Sequence, residues 1–297
     1  MRAAVSLSMI AACMAFQAGQ QTGSVAMGPQ LVHDGKLEEA LDVFRRGAEA
    51  SPKSVAANNG AGVVLDLLGR YAEARQYFSQ AIKAAPTPLE RAQAQRALAI
   101  SVGFAHDCRG AEKADRSAYE YFLAAPDYYS AGEVADELGR LCLDAGDPDT
   151  AYDWYRKGHD AGWQETNIPP NRKDIWDFRW AHARARIAAR RGKLEDARKY
   201  VAAAQAILKK GNSPEQQVFL PYLTGYVAFY AGDYAAALAD LQNAVQTDPF
   251  IQCLIAQTYD KLGDRAKALE YYKRAASTTA HSVPAAFARP FARAKLE

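Results

Sequence analysis

Residues 55–88 read VAANNGAGVVLDLLGRYAEARQYFSQAIKAAPTP, and their spacing decides the fold. Two stretches flank the turn Leu68-Gly69-Arg70-Tyr71. After the turn, Ala74, Phe78 and Ala81 recur at intervals of four and three, which places them on one helical face. The small pair Ala61-Gly62, with Leu65, offers a matching face on the stretch before it. A glycine closes the turn, a small alanine lets two helix axes approach, and the large residue fills the space beside it. Pro86 then stops the second helix.

The arrangement recurs along the chain. Turns at Gly35, Gly69, Gly146, Gly192, Gly232 and Gly263 are followed by Ala40, Ala74, Ala151, Ala197, Ala237 and Ala268. Four residues later come Phe44, Phe78, Tyr155, Val201, Leu241 and Tyr272, and three further on Gly47, Ala81, Gly158, Ala204, Ala244 and Ala275. Pro52 and Pro249 end pairs as Pro86 does. The repeating unit is two antiparallel helices.

From Gly35 to Gly69 is one step of 34 residues, and the order Ala61-Gly62, Leu65, Gly69, Tyr71, Ala74, Phe78, Ala81, Pro86 resembles the tetratricopeptide repeat family. The resemblance implies an all-α solenoid of about seven antiparallel helix pairs, wound as a right-handed superhelix with a concave groove where partners dock. It spans an N-terminal array over 21–131, whose third pair is divergent, with helices at Arg91 to Phe104 and Ala111 to Phe122. A unit over 132–165 follows, then an irregular connection at 166–171, a C-terminal array over 172–282, and a cap over 283–297 in which Phe287 and Phe291 cover the exposed face. Pro29 is expected to shorten or break the first helix.

The same resemblance assigns the groove. Phe219, Tyr222, Tyr226 and Phe229 run at offsets of three, four and three before Gly232, and the equivalent positions before Gly192 include Arg179, His182 and Arg186. These seven residues are the expected partner-binding groove, since aromatic and arginine anchors dominate interfaces. The pair before carries Glu133, Asp136 and Arg140 there, and the pair after carries Phe250, Cys253, Gln257 and Asp260. The clamp with which some family members hold a C-terminal carboxylate is not matched, because Ala56 and Val63 stand where its other residues belong beside Asn59.

Composition agrees with a folded helical chain. Of 297 residues, 49% are hydrophobic and 61 are alanine, which favours helices packed at small residues. With 36 basic and 34 acidic side chains, the net charge of +2 gives no polyelectrolyte character. The basic run Arg179, Arg184, Arg186, Arg190, Arg191 and Lys193 admits a nucleic-acid reading, but Glu195-Asp196 follow at once and cations near a helix C-terminus are favoured anyway. A solvated or protein-binding face is the better expectation.

No dinucleotide, phosphate-loop, hydrolase-elbow or zincin motif occurs, so no catalytic residue, cofactor or metal site is expected. The cluster His106-Asp107-Cys108 reads as an inter-helix turn in which Asp107 caps the next helix. Cys13, Cys108, Cys142 and Cys253 form no CxxC pair, and buried reduced thiols are expected rather than a disulfide framework.

Met1-Arg2, the apolar run from Ala3 to Phe16 and the polar run from Gln17 to Ser24 have the layout of a signal peptide over about 1–20. Ile10-Ala11-Ala12-Cys13 is similar to the lipidation box of bacterial lipoproteins. The run is too short to span a bilayer. The expectation is a non-enzymatic scaffold binding a peptide or partner protein, periplasmic or secreted. The alternatives are a cytoplasmic location, a structural role in a bacterial envelope assembly, and a nucleic-acid factor.

Overall fold

The computed structural model describes residues 25–297, so the leader and Cys13 lie outside the described residues. No strand occurs among the described residues, and no helix there is long and apolar enough to cross a membrane. The chain is an all-α solenoid of short-linked antiparallel helices, forming two compact units that divide at Ala97 and Leu98.

The first unit contains α1 (25–33), α2 (Leu37–Ala50), α3 (Val55–Leu68), α4 (Tyr71–Ala84) and the first part of α5 (Pro88–Gly103). The helix over 25–33 runs unbroken through Pro29. Phe44 is the large residue of the first pair, and Gly28 and Gly60 leave the room its ring fills, since a Cβ at either would meet the ring at 2.2–2.3 Å. Gly62 makes the same space for Phe78. Ser54 caps α3 by accepting a hydrogen bond from the Ala57 amide at 3.2 Å. Gly69 ends α3 in the left-handed region at φ 85°, which a glycine adopts without steric cost.

The second unit begins at Leu98 and continues through α6 (Cys108–Ala124), α7 (Tyr128–Asp144), α8 (Pro148–Gly162), α9 (Pro170–Arg190) and α10 (Leu194–Leu208). A 3₁₀ turn (Pro214–Phe219) leads into α11 (Leu220–Tyr230), followed by α12 (Tyr234–Leu241), α13 (Pro249–Leu262), α14 (Arg265–Ala276) and α15 (Val283–Ala294). The alanines that follow each turn, from Ala40 to Ala268, are all fully buried, as the spacing requires. Asp107, Asp127, Asp147, Asp233 and Asp264 cap the helices that follow them. At the turn before α6, His106 takes φ 54° where other turns have glycine, which explains why the divergent pair shows no glycine signature.

The connection between α8 and α9 is longer than a turn, yet the helices on both sides pack together. Trp176 is fully buried, and Gly132 and Gly162 admit its ring. Its Nε1 donates to Glu165 in that connection at 2.9 Å.

One expectation is corrected. Cys108 and Cys142 form a disulfide, and only Cys253 is a buried free thiol among the described residues. Cys108 opens α6 and Cys142 lies near the end of α7, so the antiparallel pairing of two capped helices brings together residues 34 apart. Local cysteine spacing carries no trace of that.

The last helix does more than cover an end. α15 packs on α13 and α14 through Phe287 and Phe291, and it also touches α7. His281 stacks on Phe104 at 5.4 Å between centroids, and Phe287 stacks on His106 at 5.2 Å. The end of the second unit therefore returns to its beginning.

Candidate functional site

That return borders an open-mouthed chamber of about 660 Å³ within the second unit. Two helices furnish its polar floor with the same i, i+3, i+7 spacing, which repeats on one helical face. α7 contributes Glu133, Asp136 and Arg140, and α9 contributes Arg179, His182 and Arg186. Tyr222 at the start of α11 and Tyr155 of α8 lie beside them. Phe178, Ile251 and Ile100 supply apolar wall, and residues 281–284, leading into α15, supply another side. Val218 and Phe219 in the 3₁₀ turn stand at the rim, 46% and 42% exposed.

Five of the seven expected groove residues, Arg179, His182, Arg186, Phe219 and Tyr222, line this one space. Tyr226 and Phe229 do not. Tyr226 is fully buried with its ring 4.7 Å from that of Tyr230, and Phe229 packs on Tyr230 and Tyr234. The regular ladder assumed one helix from Phe219 to Phe229, whereas α11 starts only at Leu220, after the tighter 3₁₀ turn. Gln216, Asp248 and residues 281–284 were not foreseen as lining, because they come from connections whose course the repeat pattern does not specify.

The charges divide into two groups. At one side Arg179 donates to Glu133 at 2.6 Å and lies 3.8 Å from Asp136. Burial raises the Asp136 carboxyl to about 7 against the attraction of Arg179. Asp248 is committed to capping α13 through the Phe250 and Ile251 amides. At the other side Arg140 and Arg186 face fewer partners. Arg186 is 4% exposed and its hydrogen bond goes to a neutral acceptor, the Tyr155 hydroxyl, at 2.8 Å. Burial pushes the Tyr155 phenol up to about 12, so it stays neutral. Arg140 lies over the Phe250 ring at 4.8 Å, and its Nε is 3.5 Å from Asp144 behind the chamber wall.

Several buried polar atoms here have no partner: Arg186 Nε and Nη1, Arg140 Nη2, His182 Nε2 and the Tyr222 hydroxyl. Burial, and then the charges of Arg186 and Arg140, hold the His182 imidazole neutral, well below its ordinary pKa.

The remaining arginines of the basic run are spread over other contacts. Arg190 donates to the Tyr230 hydroxyl, Arg191 pairs with Asp149, and Arg184 lies over Trp180 and Tyr200. They do not form one continuous basic face of the kind that tracks phosphates. In the His106 cluster, Asp107 accepts from the Gly110 amide at 2.9 Å, and Cys108 is in the disulfide. Among the described residues no group of three or more His, Cys, Asp or Glu side chains is placed to hold a metal ion.

Comparison with known proteins agrees with this geometry at both ends. Residues 25–87 and residues 251–280 each match a tetratricopeptide repeat family model. These two stretches are tetratricopeptide repeats. Among solved structures, a tetratricopeptide repeat protein from Parabacteroides merdae superposes with a TM-score of 0.53 at 12% identity, covering 91% of this chain and 98% of that one. The apo form of RapI gives 0.53 at 12% identity over 93% and 98%. A kinesin light chain repeat structure from Podosopora anserina gives 0.51 at 14% identity over 65% and 96%. No curated protein shows significant sequence similarity to the chain. At these identities the likeness is one of fold, and tetratricopeptide repeats as a class serve as protein-interaction scaffolds rather than catalysts.

Proposed function

We propose that this protein is a non-enzymatic scaffold that acts outside the cytoplasm and receives a peptide or partner protein at the mouth of the chamber in its second unit. The observation that carries the reading is the exposed apolar pair Val218 and Phe219 at the rim of a concavity whose interior is polar and buried. Exposed apolar side chains beside a concave site are the usual anchors of a docked partner. Arg179, His182, Arg186 and Tyr222 form the floor beneath them. Export is supported by the leader-like residues 1–20 and by the Cys108–Cys142 disulfide, because such bonds persist in oxidising compartments.

The test is a crosslinking pull-down from the native host, comparing wild type with a Val218→Asp, Phe219→Asp variant. Both positions are exposed, so the variant is expected to keep its circular dichroism spectrum and melting temperature. Loss of the proteins captured by wild type supports the mouth as the docking site. Equal capture by both moves the site elsewhere on the solenoid.

A further inference from the structure

The buried arginine side of the chamber has a chemistry that partner docking at the rim does not require. Arg186 and Arg140 bring two guanidinium groups, which remain charged at any physiological pH, into a space with Asp144 as the carboxylate paired to Arg140. The acidic residues that line the chamber are already used. Glu133 and Asp136 serve Arg179, Asp248 caps α13, and Glu137 is also engaged. The buried atoms without a partner here are Arg186 Nε and Nη1, Arg140 Nη2, His182 Nε2, the Tyr222 hydroxyl and one acceptor oxygen, Asp144 Oδ1, so guanidinium N–H donors outnumber the carboxylate oxygen left to meet them. A buried charge without its full set of hydrogen bonds costs stability, and protein cores normally avoid one. Aromatic faces from Tyr155, Tyr222 and Phe250 surround the pair without supplying an anion.

We infer that the chamber is a binding site for a small organic anion, whose carboxylate or phosphate sits between Arg186, Arg140 and Tyr222 and whose apolar body lies against Phe178, Ile251 and the wall at 281–284. A volume of about 660 Å³ is that of a small-molecule pocket. Two forked guanidinium groups suit a planar carboxylate or a phosphate, and the apolar wall excludes a fully hydrated inorganic ion as the preferred ligand. The ligand is distinct from the partner docked at the rim, so each reading can fail alone.

The experiment titrates the purified full chain with phenylacetate, phenyl phosphate and the neutral phenylacetamide by calorimetry. In parallel, the Arg186 Nε–H resonance is followed in protein labelled with ¹⁵N-arginine. Binding of phenylacetate or phenyl phosphate with a shift of that resonance, and none by phenylacetamide, supports the site. Which of the two binds more tightly tells carboxylate from phosphate. Arg186→Met should weaken the anion roughly 10- to 150-fold, the worth of a charge-assisted hydrogen bond, without lowering the melting temperature, because it removes an under-paired buried charge. Arg140→Met, at a less buried position, provides the same comparison if Arg186→Met does not fold.

The proposal is overturned if neither anion moves the Arg186 resonance, or if the amide binds as well as the anions. It is equally overturned if both methionine variants melt lower while keeping anion affinity. Anion binding that moves the Arg186 resonance in the purified chain, with no partner protein present, shows that the inner site stands whether or not the rim docks a protein.

Discussion

Reduction of the Cys108–Cys142 bond should be the largest single chemical perturbation of the second unit. The bond joins the first residue of α6 to the last turn of α7 and closes a loop across a separation of 34 residues. Closing a loop of that length removes denatured-state entropy worth about 3.8 kcal/mol, between the values for 15- and 100-residue loops. For a folding unit of roughly 200 residues, each kcal/mol shifts the melting temperature by about 2–4 °C. The reduced protein should therefore melt roughly 8–15 °C below the oxidised one, read by far-ultraviolet circular dichroism with and without a phosphine reductant. Comparing two redox states of the wild type avoids the cavity that replacing the fully buried Cys142 would leave. In denatured oxidised protein only thiols outside that pair, Cys253 among them, should be alkylated. Coincident midpoints, or alkylation of both Cys108 and Cys142 without reductant, would refute the reasoning.

Gly162→Ala would place a methyl 2.2 Å from the Trp176 ring, so urea denaturation should show a loss of about 1–3 kcal/mol, with little loss if the ring can shift aside. Ser54→Ala removes the cap on α3 and should cost the first unit about 1 kcal/mol in the same assay. Asp174 is buried, which alone would raise its pKa, but hydrogen bonds from Lys210 at 2.7 Å and Asn212 at 2.8 Å outweigh burial and hold it below the ordinary carboxylate value. Its folded pKa being depressed, its stabilisation is present at neutral pH and lost as pH falls through the folded value. The melting-temperature gap between wild type and Asp174→Asn should accordingly be widest near neutrality and vanish in acid; a gap independent of pH would contradict this.

The fold was legible because helix pairing is written locally. Turn glycine, buried alanine and large residue recur at fixed offsets, and Ala40 to Ala268 are buried where those offsets place them. Part of the chamber's lining was legible, since Arg179, His182, Arg186 and Tyr222 occupy inward positions of successive first helices. Glu133, Asp136 and Arg140 stand at the same offsets one pair earlier and meet them across the chamber. Two things had no local signature. The disulfide depends on which helix ends face one another, and the chamber depends on where α15 lands after residues 277–282 leave the repeat pattern. Both are contacts between residues far apart in sequence, which a periodic reading cannot order.

The landing of α15 also changes how the second unit can come apart. An open array of repeats holds together only through neighbouring pairs, so it frays from either end and can unfold in steps. Here Phe104 and His106 are stacked on His281 and Phe287, and both ends share one seam. Forming that seam means closing a loop of nearly the whole unit, which places it late in folding. Once formed, it leaves no free end from which unwinding can start. Amides in α15 should then exchange with solvent through the same global opening as those in α9, whereas a free terminal helix would exchange first.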